Sequence, residues 1–240
     1  MKKIPIPVLL AAAFFLAPQA QAASFDDLMK GVRIPAGLSR DDSTTVSGLK
    51  EALSVGTDRA VKSVSRTDGY FKDQAIKILM PETIQKAADV LKMAGYSKEV
   101  DDFVLSMNRA AEKAAPEATA IFVDAIKQMS FEDAGKILNG GNTAATDYFK
   151  TKTSGRLFER FKPIVSTSMN EVGVTRSYKA MTEKYTSAAP FMKMESLDLD
   201  RYVTDKALEG LFFKLGQEEK AIRTNPAART TELLRKVFGQ

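Results

Sequence analysis

Residues 97–114 read SKEVDDFVLSMNRAAEKA and repeat apolar side chains at steps of three and four. This spacing predicts a helix with one apolar face, formed by Val100, Phe103, Val104, Met107, Ala111 and Ala114. Gly95 before it is typical of a helix stop, and Ser97 of an N-cap. Pro116 interrupts the pattern, so either one helix kinks there or two helices meet.

Similar patterns recur along the chain, and strand signals are nearly absent. Gly56 lies inside a helical segment, where we expect it to permit close packing of a neighbour. The residues Ser130 to Asp133 resemble a capping box, and Pro163 predicts a kink or a restart. A helix that we expect to be central carries the stripe Val203, Ala207, Leu211 and Leu215. We therefore predict an all-α protein, a compact bundle of roughly eight to ten helices without a significant sheet.

The composition removes several kinds of chemistry, because the 240 residues contain no Cys, no His and no Trp. Disulfides, thiol nucleophiles and Ser-His-Asp triads are excluded. Zinc loses its usual ligands, and we predict no metal site and no cofactor. The basic residues are mixed with acidic ones without a basic block, so we expect no nucleic-acid partner.

The first 22 residues have the pattern of an export signal. Two lysines precede an apolar run over residues 4–17, and Ala20-Gln-Ala22 forms a small-x-small cleavage site. The run is shorter than the roughly 20 residues that cross a bilayer. We expect cleavage after Ala22, a periplasmic location and a single helical domain over residues 23–240 with no transmembrane segment. Loss of the two lysines lowers the net charge from +5 to +3.

Several runs together resemble a secreted bacterial family of unknown function, DUF4197. The runs are Gly48–Leu53, Asn108–Glu112, Phe131–Ala134, Ile137–Gly141 and Asn225–Thr230. The likeness extends from about Leu38 to Gly239. The resemblance implies a helical envelope protein with a signal peptide, and it implies no reaction.

The first candidate site is a polar cluster on the helix over residues 97–114. Asn108 and Glu112 are four residues apart and share a face, and Arg109 lies one step around. With Asp124 or Glu117 nearby, the cluster could hold a polar ligand or act as an acid/base pair. The alternative, which we favour, is a salt-bridge network between helices or a solvated helix face.

The second candidate is a turn formed by Asn139, Gly140, Gly141 and Thr143. Free backbone N–H groups at the start of the following helix could bind an anion. No Gly-Lys-Ser/Thr follows, so the turn is not a P-loop. The favoured alternative is a helix stop joined to an N-cap.

A third candidate is a charged group around the Asn225-Pro226 turn, in which paired carboxylates could hydrolyse a glycoside. Its residues are Glu218, Glu219, Arg223, Arg229 and Glu232. The favoured alternative is an ordinary helix surface, because Glu218 and Glu219 are adjacent and point about 100° apart.

A fourth candidate is apolar, a pocket or groove for a lipid or a partner helix. Its proposed lining is Tyr185, Phe191, Met192, Met194, Phe212 and Phe213. The alternative is that these side chains are ordinary core.

Two classes of function stay open. The first is a non-catalytic envelope protein that binds an apolar ligand, such as a lipid, or an envelope protein partner. The second is a hydrolase or lyase of the envelope that works with carboxylates, with or without a hard divalent cation bound through oxygen ligands. We favour the first, because most informative residues are helix stops, caps and apolar stripes.

Overall fold

The computed structural model describes residues 40–93, 95–171, 197–232 and 235. All of these residues belong to one compact unit, Ser39–Gln240. The described residues contain helices and connecting segments and no strand, so the all-α prediction is confirmed for this part of the chain.

Within the described residues, this unit contains six α-helices of 11 residues or more and one of 8 residues. They are α1 (Arg40–Ser65), α2 (Glu82–Met93), α3 (Ser97–Ala114), α4 (Ala118–Gln128), α5 (Phe131–Leu138), α6 (Ala144–Glu171) and α7 (Leu199–Thr224). Two single 3₁₀ turns, Ala115–Glu117 and Pro226–Ala228, complete the described elements. The count is lower than the predicted eight to ten helices.

One reason for the lower count is α6, which continues for 28 residues with Pro163 inside it. Of the two predicted outcomes at Pro163, a kink or a restart, the restart is wrong, because the helix continues through the proline. Pro163 lies on the exposed side of α6, where water can solvate the carbonyl that loses its hydrogen bond. Leu157, Phe161 and Val165 are each 0 % exposed, and their burial holds the helix together on both sides of the proline.

At Pro116 two helices meet, which was one of the two predicted outcomes. The proline lies in the 3₁₀ turn between α3 and α4. The predicted capping box is also present, because Ser130 Oγ accepts from the N–H of Asp133 and the Asp133 side chain accepts from the N–H of Ser130.

Helix α7 packs most extensively against α6 and α1. Its apolar stripe is buried: Val203, Ala207 and Leu211 are 0 % exposed and Leu215 is 3 % exposed. No helix in the described ranges combines the length and the apolar character needed to span a bilayer.

Residues 66–81 connect α1 to α2 without forming a helix of their own and pass between α3 and α7. Tyr70 is 0 % exposed, and its hydroxyl donates to the carbonyl of Ala207 at 2.6 Å. A Cβ atom built on Gly210 would lie 2.6 Å from the Tyr70 ring, so a glycine at 210 admits this close approach. Gly56, predicted to allow close packing, would bring a Cβ only to 3.5 Å from Ile222, an ordinary contact.

Candidate functional site

Asn108 on α3 is fully buried and bonds to the backbone of the segment 66–81. Its Oδ1 accepts from the N–H of Ile78 at 2.8 Å. Its Nδ2 donates to the carbonyls of Ile78 and Val104, each at 2.8 Å. One side chain thus satisfies both backbone groups of a residue that no helix or sheet could satisfy.

Glu112, one turn further along α3, accepts hydrogen bonds from backbone N–H groups in a second part of the segment. Its Oε1 accepts from the N–H groups of Tyr70 at 3.1 Å and Phe71 at 3.2 Å. Its Oε2 accepts from Arg109 at 2.6 Å. The carboxylate is 5 % exposed and therefore needs these donors to offset its burial.

Arg109 joins this pair to Asp68, whose Oδ1 lies 2.6 Å from the guanidinium. Asp68 has a positive φ of 66°, and Lys72 contacts its other oxygen at 2.7 Å. Hydrogen bonds from Lys72 and then Arg109 hold the pKa of Asp68 below its usual range. Burial, with the Glu112 charge added, raises the pKa of Tyr70, which keeps its hydroxyl a donor.

The structure brings Asn108, Arg109 and Glu112 together, with partners in the non-helical segment 66–81 and not in another helix, and it does not bring Asp124 to them. Asp124 lies on α4 and pairs with Arg156 of α6 at 2.9 Å. The acidic residue that joins the cluster is therefore Asp68, through its ion pair with Arg109, and not the predicted Asp124. The turn Thr67-Asp68-Gly69 is visible in the sequence, but nothing there identifies its partner 41 residues away.

The second candidate site lies where α5 ends and α6 begins. Asn139 caps α5, donating from its amide to the carbonyl of Gly135. Thr143 donates to the carboxylate of Asp147 at 3.1 Å. Gly140 is constrained, because an added Cβ would lie 2.5 Å from Ala144.

The backbone N–H groups at the start of α6 do bind an anion, and this anion is a glutamate side chain of the same chain. Glu219 of α7 accepts from the N–H of Ala145 at 2.9 Å and from the N–H and hydroxyl of Thr146, both at 2.8 Å. Arg223 donates to the same carboxylate and to the carbonyl of Ile137 at 2.8 Å. Sequence reasoning missed this role of Glu219, since its partners lie more than 70 residues away.

Of the apolar candidate, Tyr185, Phe191, Met192 and Met194 lie outside the described residues. The two adjacent phenylalanines on α7 differ in exposure. Phe212 is 5 % exposed and contacts the ring of Phe122 in the core. Phe213 is 46 % exposed.

Phe213 borders a surface groove of about 610 Å³ that runs along residues 75–80. A second groove, of about 450 Å³, lies on the α2 and α3 side of residues 77–80. Leu79 lines both grooves and is 60 % exposed. In the same segment, Asp73 forms an ion pair with Lys214 at 2.5 Å, which connects the segment to α7.

Within the described ranges, no group of three or more Asp or Glu residues is arranged to hold a metal ion. The arrangement can position an irregular segment and present apolar side chains beside it. The described part is thus a helical unit with two buried carboxylates, each paired with an arginine. Glu112 binds non-helical backbone, and Glu219 binds the start of α6.

The chain belongs to the family described as Protein of unknown function (DUF4197), whose model matches residues 39–239. The comparisons with curated proteins and with solved structures found no match.

Proposed function

We propose that this is a non-catalytic binding protein and that its binding surface is the pair of grooves on either side of Leu79. The observation that supports this most directly is the setting of Leu79. An irregular segment is held from behind by the buried side chain of Asn108, yet its large apolar side chain is 60 % exposed. Phe213, 46 % exposed, borders the same surface.

The small cavity that lies inside the described part of the chain favours a protein partner over a small apolar ligand. A cavity between α1 and α7, lined by Leu49, Leu53 and Ile222 among others, has a volume of about 20 Å³. A cavity that binds benzene measures about 150 Å³. A lipid chain would need more room still, so the occupant we propose binds at the surface.

The buried carboxylates favour binding over catalysis. Each oxygen of Glu112 and of Glu219 accepts at least one internal hydrogen bond. Such groups stabilise backbone and have no oxygen reserved for a substrate. No described observation favours the carboxylate-dependent hydrolase or lyase, so we advance no second function.

A site-specific photo-crosslinker tests the binding surface. Benzoylphenylalanine in place of Phe213 should give one defined polypeptide adduct in the native cell. The same group in place of Val90, which is 51 % exposed on α2, should give none. A Leu79→Ser change in the same chain should abolish the adduct from position 213, because the partner loses its apolar contact. Equal adducts from positions 213 and 90, or adducts of lipid mass only, would overturn the proposal.

We further propose that the protein works in the periplasm after removal of residues 1–22. The support is the cationic start, the short apolar run and the Ala20-Gln-Ala22 site. N-terminal sequencing of protein from the periplasmic fraction should begin at Ala23. Intact Met1 on that material would overturn the assignment.

A further inference from the structure

Asn139 and Gly140 form a dipeptide whose own atoms can react with each other. The backbone nitrogen of Gly140 attacks the side-chain carbon Cγ of Asn139, and a succinimide ring closes. The bond from Cγ to Nδ2 breaks, and ammonia leaves with the proton of the peptide nitrogen. Water then opens the ring to an aspartate or an isoaspartate. Glycine favours this attack, because it has no Cβ beside its nitrogen and is the most flexible residue. Of the five asparagines in the sequence, Asn139 is the one that precedes a glycine.

The fold exposes this dipeptide to water and requires its glycine. Asn139, Gly140 and Gly141 are exposed where α5 ends. A Cβ atom at position 140 would lie 2.5 Å from the Cβ atom of Ala144 and 2.7 Å from the carbonyl oxygen of Lys136. Neither of these atoms is the far end of a flexible side chain, so a larger residue does not fit. The reactive pair is therefore built into the turn between α5 and α6.

In the closed turn, hydrogen bonds keep the two reacting groups apart. The side-chain amide of Asn139 donates to the carbonyl of Gly135 at 2.9 Å, and the N–H of Gly140 donates to the carbonyl of Ile137 at 3.3 Å. The ψ angle of Asn139 is −1°, so the Gly140 nitrogen eclipses the backbone nitrogen of Asn139. Ring closure needs it to eclipse Cβ instead. The reaction therefore requires that the last turn of α5 opens first.

This opening can be local, because the end of α5 is weakly held. Helix α5 has 8 residues and is the shortest α-helix among the described elements. Gly135 inside it lowers its helix propensity. From outside the helix, Arg223 donates to the carbonyl of Ile137 at 2.8 Å. Exposed helix ends with few such contacts open at a lower free energy than the whole chain unfolds.

The product of the reaction cannot restore the closed turn. The amide of Asn139 donates to Gly135, whereas the carboxylate that replaces it can only accept. A negative charge at a helix C-terminus is also unfavourable, because the last carbonyls carry partial negative charge. An isoaspartate adds a carbon atom to the main chain beside Gly140, where the structure already lacks room for a Cβ atom. The modified chain should therefore keep the end of α5 open.

We propose that Asn139-Gly140 is a self-modification site: opening of the last turn of α5 allows the succinimide to form, and the product holds that turn open. The reactants are the chain itself and water. The site does not include the grooves beside Leu79, so the self-modification and the proposed binding function can each fail without the other.

The first test follows the mature protein during incubation near physiological pH and temperature. Mass spectrometry of the tryptic peptide over residues 137–150 locates each conversion of an amide to an acid. Asn139 should convert, while Asn142 in the same peptide, exposed but followed by a threonine, should convert far more slowly. A synthetic peptide of residues 137–150 should convert at position 139 about tenfold faster or more than the folded chain, because only the open fraction of the folded chain reacts.

Two matched variants separate local opening from global unfolding. Gly135 lies in α5 and Gly155 in α6, and in the described part of the chain an added Cβ at either position would meet no neighbouring atom within 4 Å. Each alanine should therefore fit and stabilise its own helix. Gly135→Ala should slow the conversion of Asn139 by about threefold or more, whereas Gly155→Ala should change it by less than about 1.5-fold.

A second pair of variants tests whether the product keeps the turn open. Asn139→Asp introduces the product's carboxylate, and Asn142→Asp adds the same charge three residues further along. The backbone N–H at position 139 donates to the carbonyl of Gly135 at 3.0 Å. After correction for intrinsic exchange rates, this amide should exchange about threefold faster or more in Asn139→Asp than in Asn142→Asp.

Several outcomes would overturn the self-modification site. They are an unconverted Asn139 in the folded chain while the peptide converts, or equal conversion of Asn139 and Asn142. Equal slowing by Gly135→Ala and Gly155→Ala would show that the reaction starts from the globally unfolded chain, which contradicts local opening. Equal exchange at position 139 in the two aspartate variants would show that the product closes the turn again, which contradicts the second half of the proposal.

Discussion

Replacing Asn108 by alanine should detach residues 76–81 from α3 and lower the free energy of unfolding. The change removes three hydrogen bonds. The carbonyl of Val104 keeps its helical bond, so only the N–H and C=O of Ile78 lose their partners. A buried polar group left unsatisfied costs about 1 to 3 kcal/mol, so the two together cost about 2 to 6 kcal/mol.

Urea unfolding followed by far-UV circular dichroism measures this loss, and Ser106→Ala is the matched control. Ser106 lies on the same helix and is 2 % exposed, but its hydroxyl donates to the carbonyl of Phe103 within the helix. That carbonyl keeps its helical partner, so the control should lose less than about 1 kcal/mol. An Asn108→Ala variant no less stable than the control would refute the reasoning.

Hydrogen exchange separates detachment of the segment from a general loss of stability. The amide of Ile78 should be protected in the parent chain, because it donates to Asn108 Oδ1 at 2.8 Å. In Asn108→Ala it should exchange faster, while the amide of Ala111 in α3 stays protected at the level that the remaining stability allows. Unchanged protection at Ile78 would show that another group holds the segment.

Four further predictions concern the same packing, and urea unfolding measures each of them. Gly210→Ala should lower stability by about 2 kcal/mol, because its Cβ would lie 2.6 Å from a buried aromatic ring. Gly56→Ala, at an ordinary contact, should raise stability by up to about 1 kcal/mol. Glu219→Gln should cost about 3 kcal/mol, because it removes the charge of a buried carboxylate that accepts from the start of α6 and from Arg223, while Glu218→Gln should cost less than about 1 kcal/mol. A hydrogen bond from its lysine partner on α7 lowers the pKa of Asp73. The stability that the Asp73 carboxylate provides is therefore present above about pH 4 and is lost as the pH falls through its lower folded pKa. The Asp73→Asn variant should have a lower free energy of unfolding than the parent chain at pH 7 and the same free energy of unfolding in acid.

The helical class and several local features could be predicted because their causes are local. The period of apolar residues in α3 and α7 reports a buried face directly, and the Ser130–Asp133 capping box involves atoms three residues apart. Whether Pro163 ends the helix could not be predicted, because the outcome depends on whether the proline lies on the side of the helix that faces water. A proline on the solvent side of a well-packed helix does not end it.

The candidate sites could be predicted only as residue types. Asn108, Arg109 and Glu112 were recognisable as a polar cluster, but their partners in residues 68–78 lie 30 to 42 residues away. The anion at the start of α6 is Glu219, 73 or 74 residues further along. A single sequence contains no signal that pairs such positions, because their proximity results from how α3, α6 and α7 pack.

The polar residues that looked like chemistry are explained by a requirement of the fold. A helical bundle that includes a non-helical segment must satisfy that segment's buried backbone groups from side chains. Asn108 and Glu112, one turn apart on α3, meet this requirement at Ile78 and at Tyr70 and Phe71. The oxygens of Glu112 are therefore occupied by the fold itself. The same anchoring by Asn108 leaves the Leu79 side chain 60 % exposed beside the two grooves, so the proposed binding surface follows from how the fold satisfies its own backbone.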